Sequence, residues 1–203
     1  MSDTGFDTGH SPHIDVPSVT KENGVTRQQQ WTDTEKKIKD IEDKYAFPID
    51  TDVRELVVGL NAFDIPTRLS CEGHIDHTGT KGPFVTVGRV HVSHIENADT
   101  ERQTAEKNRE DFNRLTGYLT DFYTDRPVSP EAQLVLDEEN DPFAKRLNGG
   151  FLHNRGQVDF QLGMLETEQM DPEAAAEKSQ TLQAFQTEIK DFGTFLKTEF
   201  LNS

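Results

Sequence analysis

Leu182, Phe185, Ile189, Phe192, Leu196 and Phe200 recur at intervals of three and four over the last part of the chain, the spacing that lines one side of an α-helix with apolar residues. A stripe of this length needs an apolar surface of matching length, which in a chain of 203 residues means a sheet or another helix. Pro172 suits a first helical turn, so the pattern predicts a helix over 172–202. Phe195 and Leu201 widen the stripe, which leaves a helix from a partner protein as the alternative to an internal sheet. Val53, Leu56, Val57, Leu60 and Phe63 form a second, shorter stripe, capped by Asp50 or Thr51 and stopped at Ile65-Pro66.

The remaining segments supply the expected sheet. Thr67-Arg68-Leu69-Ser70-Cys71 reads as a short strand, and residues 84–92 (F-V-T-V-G-R-V-H-V) are β-branched enough for another, with Gly88 marking a bulge. Leu134-Val135-Leu136 is a third, and residues 151–154 with 158–162 read as a hairpin around Arg155-Gly156. Thr32-Asp33-Thr34-Glu35 has capping-box order and predicts a helix carrying Ile38, Ile41 and Tyr45 on one face, up to Phe47-Pro48. Residues 97–124 predict a long charged helix with Phe112, Leu115, Leu119 and Phe122 inward. The fold class is α+β (mixed α/β): a small sheet of about five strands covered by about four helices, mostly on one face. Residues 1–30 lack any apolar period and read as a disordered tail, with 31–203 as a single domain. The tail histidines His10 and His13 are expected to be solvated.

Charge removes several function classes. Twenty-one Lys and Arg stand against 37 Asp and Glu, a net charge of -16 that repels phosphate backbones and anionic membrane surfaces. No nucleic acid and no membrane are expected, since no run approaches the ~18–20 apolar residues of a spanning helix. The opening M-S-D-T-G-F-D-T-G-H has neither the charge nor the apolar core of a secretory signal. With Cys71 the one cysteine, an intramolecular disulfide is impossible, which fits a soluble protein of a reducing cytoplasm.

Chemistry concentrates at residues 67–77, T-R-L-S-C-E-G-H-I-D-H. Cys71, Glu72, His74, Asp76 and His77 crowd around Gly73, whose missing Cβ permits backbone angles closed to other residues. Three uses compete. Cys71, His74 and His77 are a possible zinc set with one open position, completed by His91, His94 or a distant carboxylate. Cys71 is a possible nucleophile, candidate catalytic with His74, although a base from elsewhere in the fold, His91, His94 or His153, suits the geometry better. The architectural use makes Cys71 a small residue at a strand end, Gly73 a turn and His74 a backbone hydrogen-bonder. Binding of an organic ligand by Ser70, Cys71, Glu72, Gly73 and His74 needs no chemistry at all. Arg146, His153 and Arg155, which bracket Gly149-Gly150, are surface charges unless they face an anionic ligand near the motif. The acidic run 137–141 lacks the glycine and final glutamate of an EF-hand and is expected to be a solvated loop.

The run P-I-D-T-D-V-R-E-L-V-V-G-L-N-A-F-D-I-P-T-R-L-S-C-E-G-H-I-D-H, followed by G-P-F-V-T-V, resembles uncharacterised bacterial and phage-type proteins in which "LNxxGIxTxxSCEGH" precedes a short loop and a strand. Asp64 stands where that pattern carries glycine, and Phe84 where it carries tryptophan. The resemblance marks the motif as the defining feature and implies no activity. Thr67 to His74 is also loosely similar to the T-x-S-S-C-S-G-R strand end of the wybutosine-biosynthesis methyltransferase, with His74 at the position of the arginine and an acidic chain in place of a tRNA-binding surface. The resulting expectation is a ligand- or metal-binding domain, possible metal zinc, centred on Cys71, Glu72, Gly73 and His74, whose partner is a small molecule or a protein. The alternative is a non-catalytic interaction module that engages its partner through the C-terminal helix, with the motif purely structural.

Overall fold

The computed structural model describes residues 25–41, 48–76, 79–89, 97–140, 142–157, 160 and 172–203. Four segments pair into one antiparallel sheet, in the spatial order β1 (Thr67–Cys71), β4 (Phe84–Val87), β6 (Gly150–Asn154) and β5 (Leu134–Glu138). A small antiparallel ribbon, β2 (His74–Asp76) with β3 (Gly79–Lys81), projects between β1 and β4. The helices are α1 (Arg27–Lys39), α2 (Thr51–Ala62), α3 (Ala98–Phe122), the short α4 (Pro142–Arg146) and the C-terminal α5 (Pro172–Asn202). The fold is mixed α+β, as the patterning predicts.

Register decides which side of the sheet becomes core. Val85 pairs with Leu152 and Leu152 with Leu136, while Val87 pairs with Gly150. Val85, Val87, Leu134 and Leu152 are at most 3% exposed and join one apolar cluster with α2, α3 and α5. The C-terminal stripe is used up here: Phe185, Ile189, Phe192, Leu196 and Phe200 are buried within the domain. That packing leaves little of this stripe to a helix from outside the domain. The long stripe instead lies along α2, so closely that a Cβ on Gly193 would come within 2.7 Å of the Leu56 amide nitrogen.

The ends of α2 are held by different devices. At its C-terminus Asp64 takes φ 59°, the Ile65 amide donates to the Leu60 carbonyl at 2.8 Å and the Asp64 amide to the Asn61 carbonyl at 3.0 Å. This is the Schellman arrangement, with the accompanying apolar contact between two fully buried residues, Leu60 and Ile65. A left-handed C′ residue is the usual place of glycine, which gives a physical reason for glycine at this point of the resembled pattern. Here the aspartate carboxylate adds an ion pair to Arg89 at 3.1 Å, and Arg89 also engages the buried Asp111 of α3.

Several elements depart from the patterning. Helix α1 starts at Arg27, capped by the Thr26 hydroxyl, and Thr32 and Thr34 donate back to the carbonyls of Gln28 and Gln30 rather than capping. The reason is Trp31, 2% exposed with its ring 6.0 Å from that of Phe200; burying an aromatic of that size is worth on the order of 2–3 kcal/mol and draws the helix start upstream. Strand β4 ends at Val87, because Gly88 turns at φ 115° and the Arg89 amide donates to Asn108 Oδ1 at 2.7 Å. Of the second strand expected in the hairpin only Phe160 is described, and it is helical, like Gln157, with its amide bonded to the Gly156 carbonyl at 3.0 Å; β6 pairs with β4 and β5, and residues 158, 159, 161 and 162 lie outside the described residues. The acidic run is no solvated loop at its start, since Asp137 and Glu138 belong to β5. Tyr45, Phe47 and residues 1–24 lie outside the described residues.

Candidate functional site

The motif is a joint between four elements. Gly73 adopts φ 81°, and a Cβ there would meet Leu182 Cδ1, the Lys81 carbonyl oxygen and the Pro83 nitrogen, each at 2.8 Å. Only glycine meets both demands. On its N-terminal side the Glu72 amide donates to Asp50 Oδ2 at 3.1 Å, and the Asp52 amide donates to Glu72 Oε2 at 3.3 Å. Asp50 is the residue preceding α2, so its carboxylate and that of Glu72 reciprocally tie the motif to the start of that helix. From the opposite side Gln186 of α5 donates its side-chain amide to the Glu72 carbonyl at 3.0 Å and the Gly73 carbonyl at 3.4 Å. The turn thus links β1, β2, α2 and α5 through its backbone and one carboxylate.

Cys71 and His74 meet across this turn, with Sγ and Nδ1 3.9 Å apart, while the Gly73 amide donates to the sulfur at 3.4 Å. Burial pushes the Cys71 thiol up from its ordinary range; the Gly73 hydrogen bond and the Lys81 ammonium pull the other way, less strongly. A thiol so placed is a poorer nucleophile and a poorer metal ligand than a free one. Among the described residues no three His, Cys, Asp or Glu side chains are grouped to hold a metal ion. His77, the third tentative zinc ligand, lies outside the described residues, as do His91 and His94.

Ser70 and Cys71 point to opposite faces. Ser70 is paired with the buried Val85, whereas Cys71 is paired with Phe84, which is paired in turn with His153, itself opposite Val135. Cys71, Phe84, His153 and Val135 therefore form one row on the outer face, the face away from the helices. Cys71 and His153 stand two strands apart, on the order of 10 Å, with a phenylalanine between them, so they are no nucleophile and base pair. Phe151 belongs to the same face: its ring centroid is 5.3 Å from that of Phe84 and 4.7 Å from that of His153. Lys81 holds its ammonium 4.7 Å above the Phe84 ring. Phe84, Phe151, Leu69 and Val135 are half-buried and belong to none of the apolar clusters of the described residues.

The 146–155 region divides. His153 reaches the Cys71 end of the sheet, but Arg146 lies on α4, ahead of the Gly150 end of β6, and pairs with Glu101 of α3 at 2.8 Å. Arg155 continues past β6, its amide bonded to the Gln133 carbonyl at 2.9 Å. Arg68, at the Thr67 end of the outer face, pairs with Glu139, and Lys145 with Glu138 at 3.1 Å. An open groove of about 650 Å³, lined by no residue of the motif, lies between the end of α3 and α5, and its Arg126 is committed to the buried Glu188 and to Asp191.

The sequence alone does not mark Phe84, Phe151 and Lys81 as neighbours of the motif, nor Asp137 as the partner of His153. The alternation of each strand was legible, but only pairing register turns separate alternations into a row. No helix among the described residues is long and apolar enough to cross a membrane. Compared with known protein families, curated proteins and solved structures, the chain matches none.

Proposed function

We propose that the protein is a small-molecule-binding domain, that its ligand is a planar aromatic compound, and that the ligand lies on the outer face of the sheet over Phe84 and Phe151. The observation that carries this reading is the adjacency of those two rings, half-buried and outside the apolar clusters of the described residues, with Cys71 on one side of Phe84 and His153 on the other. Stacked or edge-on ring contacts contribute about 0.5–1.5 kcal/mol each beyond area burial, enough to orient a flat ligand on an otherwise apolar surface. The resemblance pattern adds support, since its tryptophan falls at Phe84.

In this reading the Glu72-Gly73-His74 turn is the support, and Cys71 alone of the motif borders the ligand. A half-buried thiol at the edge of the surface fits a reducing, cytoplasmic setting. Zinc has no part in it: such a site would need His77 or another donor beside Cys71 and His74.

Saturation-transfer NMR on the full chain with adenosine, indole-3-acetate and riboflavin as probes tests the proposal. At least one probe is expected to receive saturation in the native protein and to lose it in both Phe84→Ala and Phe151→Ala. No transfer to any of the three, or transfer that persists in both variants, overturns the reading.

A further inference from the structure

The Gly73 turn also fixes where β3 ends. Lys81 pairs with His74 across the small ribbon, and its carbonyl oxygen lies 2.8 Å from the point that a Cβ on Gly73 would occupy, with the Pro83 nitrogen equally near. Gly82, between them, is buried, and a Cβ on it would come within 2.9 Å of the Gln157 side chain. The backbone from Lys81 to Phe84 is thus held on two sides. From it the lysine side chain folds back, so that Nζ stands 4.7 Å from the Phe84 ring centroid, where the ring quadrupole attracts a cation.

The carboxylates nearby are engaged elsewhere. Asp50 and Glu72 accept from backbone amides, Asp137 meets the His153 ring, Glu138 pairs with Lys145 and Glu139 with Arg68. Among the described residues no carboxylate forms an ion pair with Lys81, in a chain where acidic residues outnumber basic ones by 37 to 21. Cys71 supplies no counter-charge either, since burial favours its neutral thiol. The outer face therefore carries an ammonium whose one described partner is the π face of Phe84.

Given an aromatic ligand on the outer face, the reading on which this step rests, we propose that the ligand is an aromatic monocarboxylic acid and that Lys81 binds its carboxylate. A ring lying over Phe84 takes the ammonium's place on the π face. A neutral ring returns nothing for that contact, and a cationic ring adds repulsion. An aromatic acid replaces it with a charge-assisted hydrogen bond. One ammonium matches one negative charge. A phosphate, at about -2 near neutral pH, is best met by several donors, and Arg68, at the Thr67 end of the sheet, is already paired with Glu139.

Ligand-observed NMR titrations of the full chain with matched acids and amides test the assignment: indole-3-acetate and indole-3-acetamide, salicylate and salicylamide, nicotinate and nicotinamide. At about 0.15 M salt the screening length is ~8 Å, which mutes the net charge of -16 more than a contact pair. The acid of at least one pair is expected to bind about two- to fivefold more tightly than its amide. That preference is expected to vanish in Lys81→Met; Lys81 is exposed, so the variant leaves the core untouched. If probes bind and are lost in Phe84→Ala and Phe151→Ala, but acids and amides bind equally in every pair or the preference persists in Lys81→Met, the role of Lys81 is overturned and the aromatic surface stands. Binding that survives both phenylalanine variants, or no binding by any probe, overturns the surface and this assignment together.

Discussion

The two faces of the sheet are made by the same four strands one residue out of phase, and they differ in almost everything else. On the inner face Val85, Val87, Leu134 and Leu152 are at most 3% exposed and interlock with three helices. On the outer face Phe84, Phe151, Leu69 and Val135 stand half-buried among polar groups: Cys71, His153, Lys81 and the Arg68–Glu139 pair. A face that sets aromatic rings among a few polar groups suits a ligand, while one closed by helices is arranged for stability. The difference teaches that the motif matters here as a joint at the rim between the two faces.

The largest effect should separate the faces directly. Leu152→Ala is expected to cost about 2–5 kcal/mol in denaturant unfolding, because it leaves a cavity in close-packed surroundings. Phe84→Ala, which removes a larger side chain, is expected to cost clearly less. Equal costs would break the comparison, showing the outer face to be as closed as the inner.

Gly73→Ala tests the rim. A positive φ together with three approaches at 2.8 Å should cost about 1–3 kcal/mol. Part of that cost should show as faster amide exchange at the start of α2, where Glu72 accepts from Asp52. Loss of stability without that local change would show that the turn does not anchor the helix.

The smallest effect concerns Cys71. Burial raises its thiol, so iodoacetamide should modify it several-fold more slowly in the folded chain than in the denatured chain at neutral pH. The sign for stability follows: below about pH 8.5 folded and unfolded chains both keep the thiol protonated and nothing is lost. Above it the unfolded chain ionises first, and the folded state loses stability as pH rises. Cys71→Ser should remove that loss. Alkylation as fast as in the denatured chain would place Cys71 in an open cleft and return it to the list of nucleophiles.

Much of the fold was legible because helical periodicity is local. The α5 stripe and its start at Pro172 were readable from spacing alone, as were the α2 stripe and its stop before Pro66. Phe160 departs from its expected strand because β-branched and aromatic residues after Gly156 imitate a second hairpin strand, while Asn154 is tied to the Ala132 carbonyl and the Arg155 and Gly156 amides to the Gln133 and Glu131 carbonyls. The ribbon of β2 and β3 carries no local pattern of its own. Its one apolar side chain, Ile75, packs against the Ala132, Phe160, Leu182 and Phe185 cluster, a contact invisible locally.

What the sequence determined by itself was the class of the fold, the helices with long stripes and the position of the glycine turn, because each rests on residues a few places apart. Tertiary structure alone decided what surrounds that turn. Asp50 and Gln186 are brought to it from 22 and 114 residues away, and pairing register sets Cys71 in a row with Phe84 and His153. A one-residue slip in either pairing would have sent those side chains into the core. Nothing in the composition or spacing of the separate strands chooses between the two registers; burial of Val85 and Leu152 under the helices does.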